Sequence, residues 1–165
     1  MNAPSEMSEP RIERFDTRAR FQQELGSLLA RARATLDLFD PDFALFTLGT
    51  PDTDVLLRRF LHAGGTLRLA MHGSAWLERE APRFLRLLRD YSHRIECRVT
   101  PRGLRQLSDS FAIADGMHVV RRFHSDHLRG AAAFDAPQEA ELPRERFAAI
   151  WAESLPGLHP TVTGL

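Results

Sequence analysis

The chain contains no lysine; all of its 22 basic residues other than histidine are arginine. No residue can therefore form a Schiff base, act as an amine base or supply the ammonium of a phosphate loop. Arginine codons are GC-rich, which accounts for this usage without selection for guanidinium chemistry. The single cysteine, Cys97, excludes an intramolecular disulfide. Its setting, Ile95-Glu96-Cys97-Arg98-Val99, alternates like a strand and reads as a buried, inert thiol. Charge of either sign is not in excess: 22 acidic residues balance 22 basic ones. A general nucleic-acid or membrane-surface binder needs a positive field, so neither is expected. Long apolar runs are also missing, and residues 1–10 are polar and acidic. No leader and no membrane span is legible, and a cytoplasmic location is expected.

A length of 165 residues and 43% hydrophobic content suit one globular domain. Residues 1–14 read as a flexible arm, 15–155 as one α/β domain and 156–165 as a tail. Phe21, Leu25, Leu28, Leu29 and Ala32 recur at helical spacing, predicting a helix from Asp16 to Ala34 capped by Asp16 or Thr17. Thr35 to Asp40 reads as a strand stopped by Pro41. A second helix opens at Pro51 and ends at Gly64-Gly65. Thr66 to Met71 and Ile95 to Val99 read as strands, separated by a helix with Pro82 in its first turn.

After residue 100 the pattern changes. Ser110–Ala114, His118–Phe123 and Gly130–Phe134 are short strand-like runs with no helix between them, and Asp115-Gly116 is a hairpin signal. A last helix is predicted from near Pro143, burying Phe147, Ile150 and Trp151. The order α-β-α-β-α-β-β-β-β-α predicts a mixed sheet covered by helices. Its early strands are parallel and its late ones antiparallel.

The run Ser108-Asp-Ser-Phe-Ala-Ile-Ala-Asp115-Gly116, set in that element order, resembles the signature strand of the phospholipase D superfamily. The chain resembles one half of that fold, in a degenerate bacterial form. Members carry His-x-Lys, four residues and then Asp. The histidine attacks phosphorus and the lysine helps hold the phosphate. Here those two positions are Ser108 and Ser110, while Asp115 is kept. The Gly-Ser-x-Asn run that follows in members is replaced by Arg122-Phe123-His124-Ser125. The resemblance implies a chain without the family's phosphodiester chemistry. Paired halves in the family imply a homodimer.

Two groups of residues are candidates for a site. In the first, a strand from Met117 to His124 would place His118, Arg122 and His124 on one face, an anion cradle for a phosphate-containing ligand, with Arg129, Ser108 and Ser110 nearby. The alternative is a solvated hairpin whose Arg and His residues pair with Asp109, Asp115 or Asp126. In the second, Asp40, Asp42 and His72 lie at the carboxyl ends of early strands, where open α/β sheets bind ligands, and Asp115 could join them. The alternatives are an Asp-Pro turn and a plain loop. His72, Asp115 and His118 are the catalytic candidates. His124-Ser-Asp-His127 would suit a metal only on a helix and reads here as a strand end or turn, and no metal or cofactor is expected.

The expected function is a non-catalytic binding or assembly module. The alternatives are a phosphate-ester hydrolase or transferase with replaced residues, using His72 or His118, and a nucleic-acid-binding module built on the Arg/His patch. Convergence of His72, Asp115 and Arg122 on one cleft would favour the enzyme; scatter would count against it.

Overall fold

The structure, a computed structural model, describes residues 9–160. Among the described residues strand β1 (Arg11–Phe15) comes first, and helix α1 (Arg18–Arg31) follows after Thr17, whose hydroxyl accepts the Arg20 amide at 3.2 Å. Phe21, Leu25, Leu28 and Leu29 form its buried face. Strand β2 (Thr35–Phe39) leads by a long loop to α2 (Pro51–His62). Gly64, with φ 104°, adopts the left-handed conformation that ends that helix. Strand β3 (Thr66–Met71), short helix α3 (Ala75–Glu80), helix α4 (Pro82–Asp90) and strand β4 (Ile95–Val99) complete the parallel part.

Strands β5 (Ser110–Ala114), β6 (His118–Arg122) and β7 (Gly130–Phe134) then run antiparallel, followed by α5 (Pro137–Glu153) and the two-residue β8 (Leu155–Pro156). The eight strands form one mixed sheet in the order β1-β7-β6-β5-β2-β3-β4-β8. Strands β2, β3 and β4 are mutually parallel, and β5 joins β2 antiparallel, pairing Phe39 with Phe111. Asp115 and Gly116 both have positive φ (56° and 66°), and Met117 donates to the Ala114 carbonyl at 3.0 Å. This is the tight primed turn that Asp-Gly favours.

Alternation in β5 and β6 sorts the core into two layers. Ala112, Ala114 and Val120 face the helices α1, α2 and α4, together with Leu36, Leu38, Leu67 and Leu69. Phe111, Ile113 and Val119 face α5, whose Ala140, Phe147, Ile150 and Trp151 cover them. The fold class read from the sequence is the observed one.

Three boundaries differ from expectation. Arg11 to Arg14, read as the end of an arm, form a strand with Phe15 that pairs antiparallel with β7, because Phe15 is an apolar anchor, 5% exposed. Gly130, its partner, has no room for a side chain between the Arg121 carbonyl and the Phe15 ring. The last helix begins at Pro137, not Pro143. Pro143 sits inside it, forfeiting one backbone bond, and its ring is buried in the face that packs on the sheet. Leu155-Pro156, at the start of the expected tail, pairs with β4. The remainder of the expected arm and tail, residues 1–8 and 161–165, lies outside the described residues. Among the described residues no helix is long and apolar enough to cross a membrane.

Candidate functional site

Strand direction decides which candidates meet. The carboxyl ends of β2 and β3, the start of β5 and the end of β6 share one end of the sheet, since Phe39 pairs with Phe111 and Ser110 with Arg122. Asp40, His72, Ser108, Ser110 and Arg122 therefore gather there. Asp115 and His118 lie at the other end, where Ala114 pairs with His118, roughly 14 Å away along β5. His72, Asp115 and Arg122 do not line one cleft.

At the first end, Arg122 is 4% exposed and Asp40 1%. The guanidinium Nη2 donates to Asp40 Oδ1 at 3.0 Å, and Nε donates to the Ser110 hydroxyl at 3.3 Å. The other Asp40 oxygen accepts the amides of Asp42 at 3.0 Å and Phe43 at 2.6 Å. Burial pushes the Asp40 carboxyl above its ordinary pKa, while those amides and the Arg122 charge pull the other way. The Asp-Pro-Asp turn is thus real, and its first carboxylate also neutralises a buried arginine. Phe43 (φ 64°) and Thr47 (φ 55°) in the following loop hold left-handed conformations that such residues rarely adopt. The buried rings of Phe43 and Phe46 and the Asp40 carboxylate fix that loop.

His72 is committed on both sides of its ring. Nε2 lies 2.7 Å from the Leu107 carbonyl, which can only accept, so Nε2 carries the proton. In that neutral tautomer Nδ1 accepts from the Thr100 hydroxyl at 2.6 Å. The imidazole ties the loop after β4 to the end of β3 and has no free lone pair to act as a base. Ser108 lines an open groove of about 610 Å³ whose walls include Arg121, Arg122, Phe123 and Arg146. Arg146 binds Asp109 through two hydrogen bonds, at 2.7 and 2.8 Å. The Arg121 guanidinium stacks over Phe123, 5.4 Å from the ring centroid.

At the far end, Asp115 is a structural carboxylate. It accepts the amides of Arg33 (3.0 Å), Ala34 (2.7 Å) and Thr35 (3.0 Å) and so ties the β5–β6 turn to the start of β2. His118, 5% exposed, accepts the Asp135 amide through Nδ1 at 3.0 Å. Burial lowers its pKa below the ordinary imidazole value; the nearby Asp135 raises it and Arg31 lowers it further. His124 and Arg129 belong to the loop between β6 and β7. His124 Nδ1 accepts the Asp126 amide at 3.1 Å, and the Arg129 side chain is exposed. The face predicted for β6 is observed for His118, Val120 and Arg122, but β6 ends at Arg122, so His124 does not continue the row. Among the described residues no three His, Cys, Asp or Glu side chains cluster as a metal site would require. Burial pushes the Cys97 thiol up to about 12, aided by the Glu96 charge, so it is not a nucleophile.

The residue pair that organises this end, Asp40 with Arg122, is split in sequence between two separate candidate groups 82 positions apart. Only the antiparallel joining of β5 to β2 brings them together.

A family model described as a domain of unknown function (DUF7931) matches residues 17–159. No curated protein matches the sequence. Among solved structures, Nuc from Salmonella typhimurium, described as a phospholipase D family member, superposes with a TM-score of 0.66 at 15% identity, covering 90% of this chain and 98% of that one. NucT from Helicobacter pylori gives 0.63 at 10% identity, over 90% of this chain and 99% of that one. TrmBL2, described as an archaeal chromatin protein with a novel mode of DNA binding, gives 0.66 at 13% identity; 97% of this chain matches 56% of that one. The fold is phospholipase D-like. At these identities the likeness speaks for fold alone.

Proposed function

The chain belongs to this family of unknown function, and we propose that it is a non-catalytic binding or assembly module on a phospholipase D-like scaffold. The observation that carries the reading is the buried Arg122–Asp40 pair with Ser110 beside it. In this reading Ser108 and Ser110 stand where related enzymes carry their nucleophile and phosphate-holding lysine. A serine without a base does not attack phosphorus at a useful rate, and the nearest imidazole, His72, has both nitrogens engaged. Arg122 already faces a carboxylate, so an incoming anion would have to displace Asp40 from a site nearly closed to water. A phosphate-containing ligand would instead meet Ser108 and the outward Arg121 in the open groove.

The test is a panel of p-nitrophenyl phosphodiesters and phosphomonoesters at high protein concentration, with His72→Ala and His118→Ala as controls. The reading expects no turnover above buffer. Turnover that either substitution abolishes would instead establish the hydrolase. Nucleic-acid binding is a second reading, drawn from the likeness to TrmBL2 and from Arg121 at the groove rim. The zero net charge opposes it. It requires a mobility shift with short DNA that weakens steeply between about 50 and 200 mM salt.

A further inference from the structure

Helix α5 and the segment after β4 enclose a second groove, an apolar trough of about 760 Å³. Leu104 and Leu107, beside the three-ten turn Arg102–Leu104, form one bank. Leu142 and Ala149, on one side of α5, form the other, and the buried Ile150 also lines it. Leu142 is 74% exposed. A single exposed leucine is ordinary, but one on the bank of an aliphatic trough belongs to an apolar surface without a cover.

Both banks are fixed in place. His72 Nε2 donates to the Leu107 carbonyl at 2.7 Å. Arg146 of α5 holds Asp109 through two hydrogen bonds, at 2.7 and 2.8 Å. A preformed trough lowers the ordering cost of binding.

Two observations narrow what fits there. The first is backbone bonding. The amides of Leu104, Arg105 and Leu107 donate to the carbonyls of Pro101, Arg102 and Leu104 within their own turns, and the α5 backbone is bonded within the helix. Neither bank offers a strand edge, so an extended peptide would leave amides and carbonyls unpaired. A helix bonds its own backbone and meets no such cost. The second observation is charge. Glu145 and Glu153 stand on the rim, about 12 Å apart along the helix. Both are exposed, and among the described residues neither makes an ion pair. The arginine of that rim, Arg146, already pairs with Asp109. Such a rim repels an anionic lipid head and favours cationic side chains.

We propose that this trough docks a basic amphipathic helix of a partner protein. Its leucine-type side chains enter between the two banks, and its lysine or arginine side chains meet Glu145 and Glu153. The proposal extends the binding-module reading to a second surface, and the two fail separately. Turnover in the ester panel would leave the trough proposal standing, and failure to bind a helix would leave the absence of turnover standing.

The test uses the full chain and a labelled peptide of about 18 residues, or about five turns. Leucines run along one face of the peptide and lysines flank them. Fluorescence anisotropy should show saturable binding in the micromolar range. The same peptide with glutamate at every lysine should bind about tenfold more weakly, through lost ion pairs and new repulsions. Leu142→Ser should weaken the lysine peptide about tenfold, the loss expected for one leucine left unburied. Its circular dichroism spectrum should be unchanged, because that side chain lies outside the core. Glu145→Arg combined with Glu153→Arg should reverse the preference between the two peptides. The chain has no lysine, so its N-terminus is its sole amine. Carbodiimide coupling, which joins a carboxylate to an amine with loss of water, therefore marks where the peptide's lysines lie. The new amides should map to Glu145 and Glu153. No saturable binding at hundreds of micromolar, equal binding of the two peptides, or amides at other carboxylates alone would overturn the proposal. So would a dimer that Leu142→Ser splits into single chains, because a second copy would then hold the trough.

Discussion

At the Ser110 end of the β5–β6 pair an arginine and a carboxylate meet in the interior; at the Asp115 end a carboxylate meets three backbone amides nearer the surface. Both ends carry residues typical of active sites, and both spend them on structure. The ends differ in what satisfies the charge. Asp40 has a buried counter-ion as well as two amides, whereas Asp115 holds its place with amides alone. The first arrangement fails badly if one partner is removed, because the other is left charged without water. The second loses hydrogen bonds that solvent can partly replace.

That contrast can be broken by mutation. The largest effect is expected for Asp40→Ala. It strands Arg122 and two amides, and should cost about 3–5 kcal/mol in urea denaturation. Asp115→Ala should cost about 2–3 kcal/mol, through the lost amide acceptor and the unfavourable left-handed backbone for alanine. Asp115→Asn, which tolerates that backbone, should cost clearly less. If Asp115→Ala proved as damaging as Asp40→Ala, burial of the counter-ion would not be what separates the two ends. His72→Ala should cost about 1–3 kcal/mol by releasing the Thr100 hydroxyl and the Leu107 carbonyl.

The smallest effect is a pH dependence from His118. Its folded pKa is lowered by burial, so the unfolded chain takes up the proton first as pH falls below about 6.5. The stability it contributes is complete above the unfolded pKa and is lost as pH falls towards the folded one. Melting temperatures of wild type and His118→Asn should therefore converge between pH 7.5 and 5. Divergence would show that protonated His118 is favoured in the fold.

Much of the fold was legible in the sequence because the local signals agree with the tertiary outcome. The spacing in α1, the Gly64-Gly65 stop and the Asp115-Gly116 turn each mark an observed feature. The misplaced boundaries have physical causes. Pro143 has the appearance of a helix start, yet buried contacts along α5 outweigh its missing hydrogen bond. Arg11–Phe15 has charges at three of five positions, and only Phe15 packing against α1 and pairing with β7 makes it a strand. Within the site, the place of His72 at the carboxyl end of β3, and the separate grouping of Ser108, Ser110 and Arg122, follow from the order of the strands. The Asp40–Arg122 pair does not, because it depends on which strand β5 joins and in which direction. The sequence leaves open whether Asp115 joins the strand-end group, and its position at the opposite end follows from that same antiparallel pairing.

The Arg122 guanidinium is paired with the Asp40 carboxylate in the interior. A double-mutant cycle with Asp40→Asn, Arg122→Met and the double variant, followed by urea denaturation, measures this directly. A coupling of about 2 kcal/mol or more is expected, with the double variant more stable than the sum of the single losses allows. A coupling near zero would contradict it and return Arg122 to the cations available for binding.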